Sequence, residues 1–275
     1  MKDERIYASG ETLFIPDDET LSYPRVCAHR GFSTIAPENS MPAYGAAVAL
    51  GAEEIELDLW VTKDGEIVSI HDGELDRVST GHGNVWDHTF DELQDADFGV
   101  KHSDSLKGLR IVTFEEILRA FARRTIMNIH VKTIDEYGVN RNQPYDERAL
   151  EKIVGLVRKY KAEKHVYFMT VNDTLQHQMQ EAAPEINRCM GIAADPWNVV
   201  NQAIENKCRK VQLFKPWFNQ EMMDKAHANG IICNVFWSDD PEEAKHFFDM
   251  GADTILSNDF YKVKLARDQW LESRR

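Results

Sequence analysis

His29 and Arg30, which can transfer protons and bind phosphate, directly follow a short apolar segment from Val26 to Ala28. An imidazole titrates near neutral pH, and a guanidinium presents a planar fork of donors that matches phosphate oxygens. A strand that ends at Ala28 presents both side chains where the backbone turns. The pair is therefore typical of acid/base chemistry on a phosphate.

A second pair, Glu56 and Asp58, lies in a segment where acidic and apolar residues alternate. Alternation along a strand puts both carboxylates on one face. Two adjacent like charges repel, and a shared proton or a divalent cation relieves the repulsion. A solvated strand face is the alternative interpretation, but the opposite face, with Ile55 and Leu57, is apolar. The pattern favours a metal site.

His130 and Lys132 repeat this two-residue spacing in the segment MNIHVKT. Alternation puts both on one face of a strand. A single histidine on a strand is more often a hydrogen-bonded core residue than a ligand, and the adjacent lysine weighs towards a site. Both interpretations stay open for this pair.

These pairs lie within a regular alternation of strand and helix patterns along the chain. Strands are predicted to start at 26 and 53 and to cover 126–132, 166–170, 188–192, 211–214, 231–237 and 254–257. Helices are predicted at 40–50, 113–124, 146–160, 174–183, 196–206, 219–229, 241–250 and 261–272. Eight such units predict an α/β fold, a distorted (β/α)₈ TIM barrel with a small insertion after the second strand region. A doubly wound sheet is disfavoured because no glycine-rich phosphate-binding motif follows a strand.

The C-terminal ends of barrel strands form the active site in this fold. Reading those ends along the chain collects one set of candidate residues. They are His29, Arg30, Glu56, Asp58, His71, His130, Lys132, Lys215, Phe236 and Trp237.

The whole chain, 1–275, is predicted to be one barrel domain with two irregular additions. Residues 1–24 form an acidic leader, and residues 73–112, polar and rich in Gly, His and Asp, form the insertion. We expect the insertion to take part in substrate selection.

Composition restricts the partners and the compartment. The net charge of −14 argues against nucleic acid and anionic membrane as general partners, because both require a basic surface. No segment is apolar enough for a signal peptide or an integral membrane helix, and the four cysteines are widely spaced. These features predict reduced thiols and a cytoplasmic location. They leave the oligomeric state open.

Five short motifs together resemble the glycerophosphodiester phosphodiesterase family. They are HRG (29–31), PEN (37–39), E-x-D (56–58), HD (71–72) and the GADTILSN segment near the end of the chain. The resemblance implies a distorted TIM barrel whose partner is a small-molecule phosphodiester substrate. Such an enzyme cleaves glycerophosphodiesters to glycerol phosphate and an alcohol with a divalent ion such as Mg²⁺ or Ca²⁺.

The resemblance also implies a role for individual residues. His29 and His71 would be the acid/base pair, Arg30 and Lys132 would hold the phosphate, and Glu56 and Asp58 would bind the metal. Substrate contacts are expected from Glu38 and Asn39 of the PEN motif and from Lys215, Phe236 and Trp237 at strand ends.

The chain departs from the family pattern at His130, where the family usually has a third metal-binding glutamate. We predict His130 as the third ligand. An imidazole is neutral and softer than a carboxylate, so the site would shift towards Mn²⁺ or Zn²⁺ or would bind metal less strongly. A second departure at Phe236 and Trp237 changes the expected aromatic lining and leaves the leaving group open.

Three functions are therefore considered. The first is metal-dependent hydrolysis of glycerophosphodiesters by two-histidine acid/base catalysis. The alternative is a phosphodiesterase or lyase that acts on sugar or lipid-headgroup diesters and releases a cyclic phosphate. The third is a binding protein without catalysis, which the presence of both His29 and His71 disfavours.

Overall fold

The computed structural model describes residues 14–134, 145–192 and 195–275. Its strands are β1 (Arg25–Ala28), β2 (Glu54–Val61), β3 (Ile67–Ser69), β4 (Val112–Thr113), β5 (Ile126–Val131), β6 (Val166–Thr170), β7 (Asn187–Met190), β8 (Lys210–Phe214), β9 (Ile232–Phe236) and β10 (Thr254–Ser257). Its α-helices are α1 (Met41–Ala49), α2 (Phe90–Leu93), α3 (Phe114–Phe121), α4 (Glu147–Lys159), α5 (Asp173–Ala182), α6 (Val199–Glu205), α7 (Gln220–Ala228), α8 (Pro241–Met250) and α9 (Phe260–Glu272). Short 3₁₀ helices span Val85–Asp87, Asp104–Leu106 and Pro196–Asn198.

Parallel strands close into a barrel. β1 pairs with β10 on one side and with β2 on the other, and the order runs on through β9, β8, β7, β6 and β5 back to β2. The predicted (β/α)₈ barrel is confirmed. β3 pairs antiparallel with the last residues of β2, and β4 pairs antiparallel with β3, so these two short strands lie beside the barrel.

Local sequence signals explain where the helices begin. The Ser40 side chain accepts a hydrogen bond from the Ala43 backbone and caps α1. Thr113 and Glu116 form a reciprocal capping box at α3. Asp240 caps α8, with a proline in its first turn. Each side chain satisfies backbone N–H groups that have no partner inside the helix.

Alternation on β2 decides which side chains reach the barrel interior. Ile55, Leu57 and Leu59 belong to the main apolar core that strands and helices share. Glu54, Glu56 and Asp58 lie on the other face. Glu54 accepts hydrogen bonds from Arg25 of β1 and from Tyr167 of β6, which places that face inside the barrel.

A buried ionic network occupies the N-terminal end of the barrel. Arg25 pairs with Asp18 at 2.7 Å and with Glu54 at 2.8 Å, and Lys210 pairs with Asp18 at 2.8 Å. Asp18 comes from the described part of the predicted leader, which is irregular; residues 1–13 lie outside the described part of the chain. Two cationic and two anionic side chains neutralise one another here, so the N-terminal end of the barrel holds a charge-balanced network.

Residues 73–112 carry a small apolar cluster of their own. Leu75, Val85, Leu93 and Phe98 pack with Trp60 at the end of β2. The segment contains α2, which begins with a capping box at Thr89. It thus rests on the C-terminal end of β2, close to the predicted site.

The remaining general features concern helices and cysteines. No helix in the described ranges has both the length and the apolar composition needed to cross a bilayer. Cys27, Cys189, Cys208 and Cys233 are all buried free thiols.

Candidate active site

A cavity of about 630 Å³ opens at the C-terminal end of the barrel. One side, which we name the charged arc, consists of His29, Arg30, Glu56, Asp58, His71, His130 and Lys132. The other side, which we name the apolar arc, consists of Met169, Val171, Ile192, Pro196, Trp197, Phe214, Trp217, Phe236 and Leu256. Gln212 also lines the cavity.

The turn after β1 places His29 and Arg30 over the barrel opening. Arg30 and Gly31 both have left-handed backbone angles, with φ of 57° and 80°. A Cβ on Gly31 would lie 2.7 Å from the Ala43 backbone, so only glycine fits between this turn and α1. The backbone N–H of Arg30 then donates to Glu56 Oε2 at 3.0 Å, which ties the turn to β2.

The hydrogen bonds of His29 determine its tautomer. Its Nδ1 lies 2.7 Å from Asn258 Oδ1. The amide of Asn258 is oriented by Asp239, which accepts from Asn258 Nδ2 at 2.9 Å and from the Asn258 backbone at 2.7 Å. Because the amide oxygen faces His29, Nδ1 must carry the proton and Nε2 has the lone pair. His29 is therefore arranged as a proton acceptor.

The surroundings of His29 also keep it neutral. Burial, reinforced by the positive charge of Arg30, lowers the pKa of His29 to about 3. Phe236 packs edge-on against the ring with a centroid distance of 4.9 Å. Nε2 lies 3.9 Å from Glu56 Oε2, so the lone pair is directed towards the acidic pair.

His71 has a different partner. Its Nδ1 lies 2.7 Å from a carboxylate oxygen of Asp72, which can only accept, so this nitrogen also carries a proton. Burial lowers the pKa of His71, whereas the Asp58 charge and the hydrogen bond to Asp72 act in the opposite direction. A bound anionic phosphate would add negative charge beside the ring and favour the imidazolium. The pKa of His71 is lowered on balance, so Nε2 would take up a proton to donate only when such an anion lies beside the ring.

An ion-pair chain connects the turn at Arg30 with Asp72. Arg30 Nη1 donates to Glu38 Oε1 at 3.0 Å, and Arg77 donates to both oxygens of Glu38 at 2.6 and 3.0 Å. Arg77 also contacts Asp72. Arg77 belongs to the insertion, so residues 73–112 brace both histidine-bearing segments.

Strand register brings the predicted metal ligands together. Asp58 of β2 is the direct neighbour of His130 on β5. His130 Nδ1 and Lys132 Nζ each lie 3.3 Å from Asp58 Oδ1. Asn39 donates from Nδ2 to Asp58 Oδ2 at 2.9 Å and accepts from the Asp58 backbone. Asn39 thus fixes the orientation of Asp58 and lies outside the cavity lining.

The two carboxylates differ strongly in their affinity for a proton. Burial, followed by the Asp58 charge, raises the pKa of Glu56 to about 8. Burial opposes ionisation of Asp58 as well, but Lys132 and His130 outweigh it and hold the pKa of Asp58 well below its usual range. The pair therefore keeps one proton at neutral pH, which a divalent cation would replace.

These residues fit a divalent cation. Glu56, Asp58 and His130 are all buried, and each offers a ligand atom within 4.8 Å of the others. Asp58 Oδ1 is buried and lies 3.3 Å from His130 Nδ1, so two of the three ligand atoms are adjacent. Two carboxylates and one imidazole are a donor set that suits Mn²⁺ or Zn²⁺ better than a site made only of carboxylates would.

The chain is similar to known proteins in both sequence and fold. The model of the glycerophosphoryl diester phosphodiesterase family matches residues 29–262. The chain belongs to this family. It is 31% identical over 242 residues to a glycerophosphodiester phosphodiesterase of Caldanaerobacter subterraneus subsp. tengcongensis, covering 85% of this chain and 93% of that protein. The family expected from the motifs is confirmed.

Further relatives agree with this placement. A glycerophosphodiester phosphodiesterase of Bacillus subtilis is 27% identical, covering 86% of this chain and 85% of that protein. The structure of a phosphodiesterase of Oleispira antarctica, in complex with the product sn-glycerol-3-phosphate, superposes with a TM-score of 0.77 at 22% identity. That match covers 90% of this chain and 97% of the other, and it shows a shared fold.

Three other predicted substrate residues lie outside the cavity lining. Lys215 Nζ pairs with both carboxylate oxygens of Glu243, at 2.8 and 3.0 Å. Trp237 lies beside this pair, with Lys215 Nζ 5.5 Å from its ring centroid. Glu38 joins Arg30 to Arg77, as described above. Of the predicted substrate residues, Phe236 lines the cavity.

Some members of the site were not predicted from the sequence. Asn258 lies in the GADTILSN motif, but its contact with His29 joins residues far apart in the chain. Asp239 precedes the helix-capping Asp240 and looks like part of the same acidic turn. The residue types of the apolar arc are equally common in a barrel core. Of this arc, the sequence therefore predicted only Phe236 as a site residue.

Proposed function

We propose that the chain is a metal-dependent phosphodiesterase that cleaves glycerophosphodiesters to glycerol phosphate and an alcohol, with His29 and His71 as the proton-transfer pair. The observation that carries this proposal is the contrast between the two histidines. His29 bonds to a neutral amide and exposes a lone pair, whereas His71 bonds to a carboxylate. A carboxylate partner stabilises an imidazolium and an amide oxygen does not, so with the phosphate bound His71 would be the proton donor and His29 the proton acceptor.

Each of these residues has a separate role in the reaction. Arg30 and Lys132 bind the phosphate oxygens. His29 Nε2 accepts the proton of the attacking hydroxyl while its oxygen forms the new bond to phosphorus. His71 Nε2 donates its proton to the departing alkoxide as the old P–O bond breaks. If the attacking hydroxyl is that of water, glycerol phosphate forms directly and a proton returns from His29 to His71 through solvent. If it is a glycerol hydroxyl, a cyclic phosphate forms, and water then opens it while His71 takes the proton of water and His29 protonates the departing glycerol oxygen.

Glu56, Asp58 and His130 would hold the divalent ion, and the ion would neutralise charge on the phosphate oxygens. The family supports a divalent ion, and the donor set supports Mn²⁺ or Zn²⁺ beside Mg²⁺ and Ca²⁺. The product bound in the Oleispira antarctica structure supports glycerol phosphate as a product here.

The two-histidine proposal is tested with His29→Ala and His71→Ala. Each should lower kcat for glycerophosphocholine by roughly 10²–10⁴-fold, because each removes a proton carrier from the transition state. Turnover is followed by ³¹P NMR, which also separates glycerol phosphate from a cyclic phosphate. The exposed His82→Ala in the insertion is the matched control and should retain full turnover.

Three results would contradict the proposal. Near-wild-type rates in either active-site variant would reject the proton-transfer roles. Binding of glycerophosphodiesters without turnover by the metal-loaded protein would favour a binding protein. A cyclic phosphate as the final product would favour the alternative lyase reaction.

A further inference from the structure

Three side chains with metal-binding atoms meet at the N-terminal end of the barrel, opposite the cavity. They are His227 in the last turn of α7, Cys233 in β9 and Asp253 immediately before β10, and we name them the rear triad. Each offers a ligand atom, and these atoms all lie within 4.8 Å of one another. We propose that the rear triad binds a divalent cation of the Zn²⁺ type, at a second site that is separate from the charged arc.

Backbone hydrogen bonds fix two of the three ligands. The Asp253 N–H donates to the Cys233 carbonyl at 3.0 Å, and the Cys233 N–H donates to Asp253 Oδ2 at 2.7 Å. β9 and β10 are paired parallel strands, so this reciprocal contact is built into the barrel wall. Ligands that rigid elements hold in place lose little freedom when they bind an ion.

A glycine lets the third ligand approach closely. Gly251 ends α8 with a left-handed φ of 104°, and a Cβ there would lie 3.3 Å from the His227 ring. The ring packs against this bare backbone, and its Nε2 lies 2.9 Å from Asp253 Oδ2. A carboxylate can only accept, so without a metal Nε2 carries the proton that joins the two residues. A cation bound by both atoms would take the place of this proton.

The donor set suits zinc. Thiolate, imidazole and carboxylate are ligands of Zn²⁺ at about 2.0–2.3 Å, whereas Mg²⁺ and Ca²⁺ prefer oxygen. Tetrahedral ligands at these lengths lie about 3.3–3.6 Å apart, so the present atoms need to move by about 1 Å. An ion can enter from the side of His227 and Asp253, whose side chains are 39% and 24% exposed.

The charges and protons balance on binding. The thiol proton of Cys233 goes to solvent, and the proton of neutral His227 moves from Nε2 to Nδ1. Thiolate and carboxylate together then neutralise the two positive charges of the ion.

Nucleophilic catalysis is the other chemistry that a cysteine, a histidine and an aspartate could perform, and burial disfavours it here. Cys233 is completely buried, so its sulfur does not reach a substrate. Burial, followed by the Asp253 charge, raises the pKa of the Cys233 thiol, whereas a catalytic cysteine needs a lowered pKa. A bound cation stabilises the thiolate and removes this difficulty. The rear triad is therefore better suited to hold an ion than to attack a substrate.

Co²⁺ is the probe for this site, because a thiolate–cobalt bond gives a near-ultraviolet charge-transfer band that nitrogen and oxygen ligands do not give. None of the described residues that line the active-site cavity is a cysteine, so cobalt bound there does not produce the band. The whole chain, kept reduced, is titrated with Co²⁺ and then with Zn²⁺. We expect the band to saturate at one bound ion per chain and Zn²⁺ to abolish it.

Variants assign the band to the rear triad. Cys233→Ser should abolish it, whereas Cys208→Ser, which changes another buried thiol, should retain it. His227→Ala changes an exposed side chain and leaves the core intact. It should weaken Co²⁺ binding by at least roughly 100-fold, because even a hydrogen-bond partner of a ligand accounts for about 10–100-fold. His177→Ala, at an exposed histidine of α5, is the matched control and should bind normally.

A bound ion should also join the end of α7 to the connection between α8 and β10 and so stabilise the fold. At a Zn²⁺ concentration roughly 100-fold above Kd, Tm should rise by about 5 °C more in the wild type than in His227→Ala. The comparison with this variant removes the contribution of zinc bound in the charged arc.

The contrary results are distinct. Absence of the charge-transfer band at saturating Co²⁺ would overturn the proposal. A band that persists in Cys233→Ser, or an unchanged Co²⁺ affinity in His227→Ala, would overturn the assignment to the rear triad. None of these measurements uses turnover, so their outcome is independent of the proposed phosphodiesterase function.

Discussion

The charged arc, on the segments of β1, β2, β3 and β5, and the apolar arc, on β6 to β10, line one opening but are stabilised differently. In the charged arc four side chains are oriented by hydrogen bonds to residues outside the lining: His29 by Asn258, Arg30 by Glu38, Asp58 by Asn39 and His71 by Asp72. In the apolar arc the side chains contact one another through ring packing. Directional bonds fix the chemistry, whereas apolar contacts tolerate ligands of different shape.

This difference predicts that substitutions in the charged arc reduce turnover of all substrates alike. Substitutions in the apolar arc should act through the choice of substrate.

The largest effect is expected from Asp58→Asn. The change removes a buried ligand charge at the centre of the predicted cation site, so kcat/KM should fall on the order of 10³-fold, in line with several kcal/mol of transition-state stabilisation. The measurements are kcat/KM for two substrates, glycerophosphocholine and glycerol phosphate p-nitrophenyl ester, and the metal content by elemental analysis. Asp95→Asn, on the surface of the insertion, is the charge-matched control.

The fall should be the same for both kinds of substrate, because the cluster acts on the phosphate that they share. Unchanged activity after exhaustive EDTA treatment would reject the metal assignment. A loss confined to one class of substrate would remove the distinction between the two arcs.

A smaller effect is expected from Asp239→Asn. Asp239 touches no substrate and acts as a positioning residue, because it accepts the bonds that direct the Asn258 oxygen at His29. Without that carboxylate the amide can turn and the tautomer of His29 is no longer fixed. We expect kcat to fall roughly 10- to 100-fold, a part of the full effect of removing a proton carrier, with little change in KM.

Ser257→Ala removes another hydrogen bond to Asp239 and leaves the amide contacts in place, so it serves as the control. The chemical shifts of the His29 ring nitrogens should show the Nδ1–H tautomer in the wild type and a mixture in Asp239→Asn. Wild-type kcat in the variant, or a change in KM alone, would contradict this role.

His130→Glu should mainly change the metal preference. It supplies the third carboxylate that the family pattern has at this position, so the ratio of kcat/KM with Mg²⁺ to that with Mn²⁺ should rise by about tenfold. His130→Gln, which is neutral and of similar length, should not produce the rise. An unchanged ratio would mean that His130 is not a ligand.

The charged arc was largely predictable from sequence, and the apolar arc was not. Two-residue spacing shows that Glu56 and Asp58 share one face of a strand, and that His130 and Lys132 do the same. The barrel topology then places β2 beside β5. Lys215 shows the limit of that reasoning. Its position at a strand end predicted a place in the cavity, but a long side chain can extend elsewhere, and Glu243 binds it outside the lining.

Contacts between distant segments were also beyond prediction. The bonds between His29, Asn258 and Asp239 depend on the pairing of β1 with β10 and on the turn after β9. Apolar residues such as Met169 and Leu256 carry no mark that separates a cavity wall from a core. Their role follows only from where the barrel leaves space.

The central claim is the division of labour between the two histidines, and a change of leaving group tests it directly. The measurement is the effect of His29→Ala and His71→Ala on single turnovers of glycerophosphocholine and of glycerol phosphate p-nitrophenyl ester, whose leaving group needs no proton. The account predicts that the His71→Ala defect shrinks to less than about tenfold with the p-nitrophenyl ester, while the His29→Ala defect stays at roughly 10²–10⁴-fold. Equal defects of His71→Ala with both substrates, or a His29→Ala defect that disappears with the p-nitrophenyl ester, would contradict it.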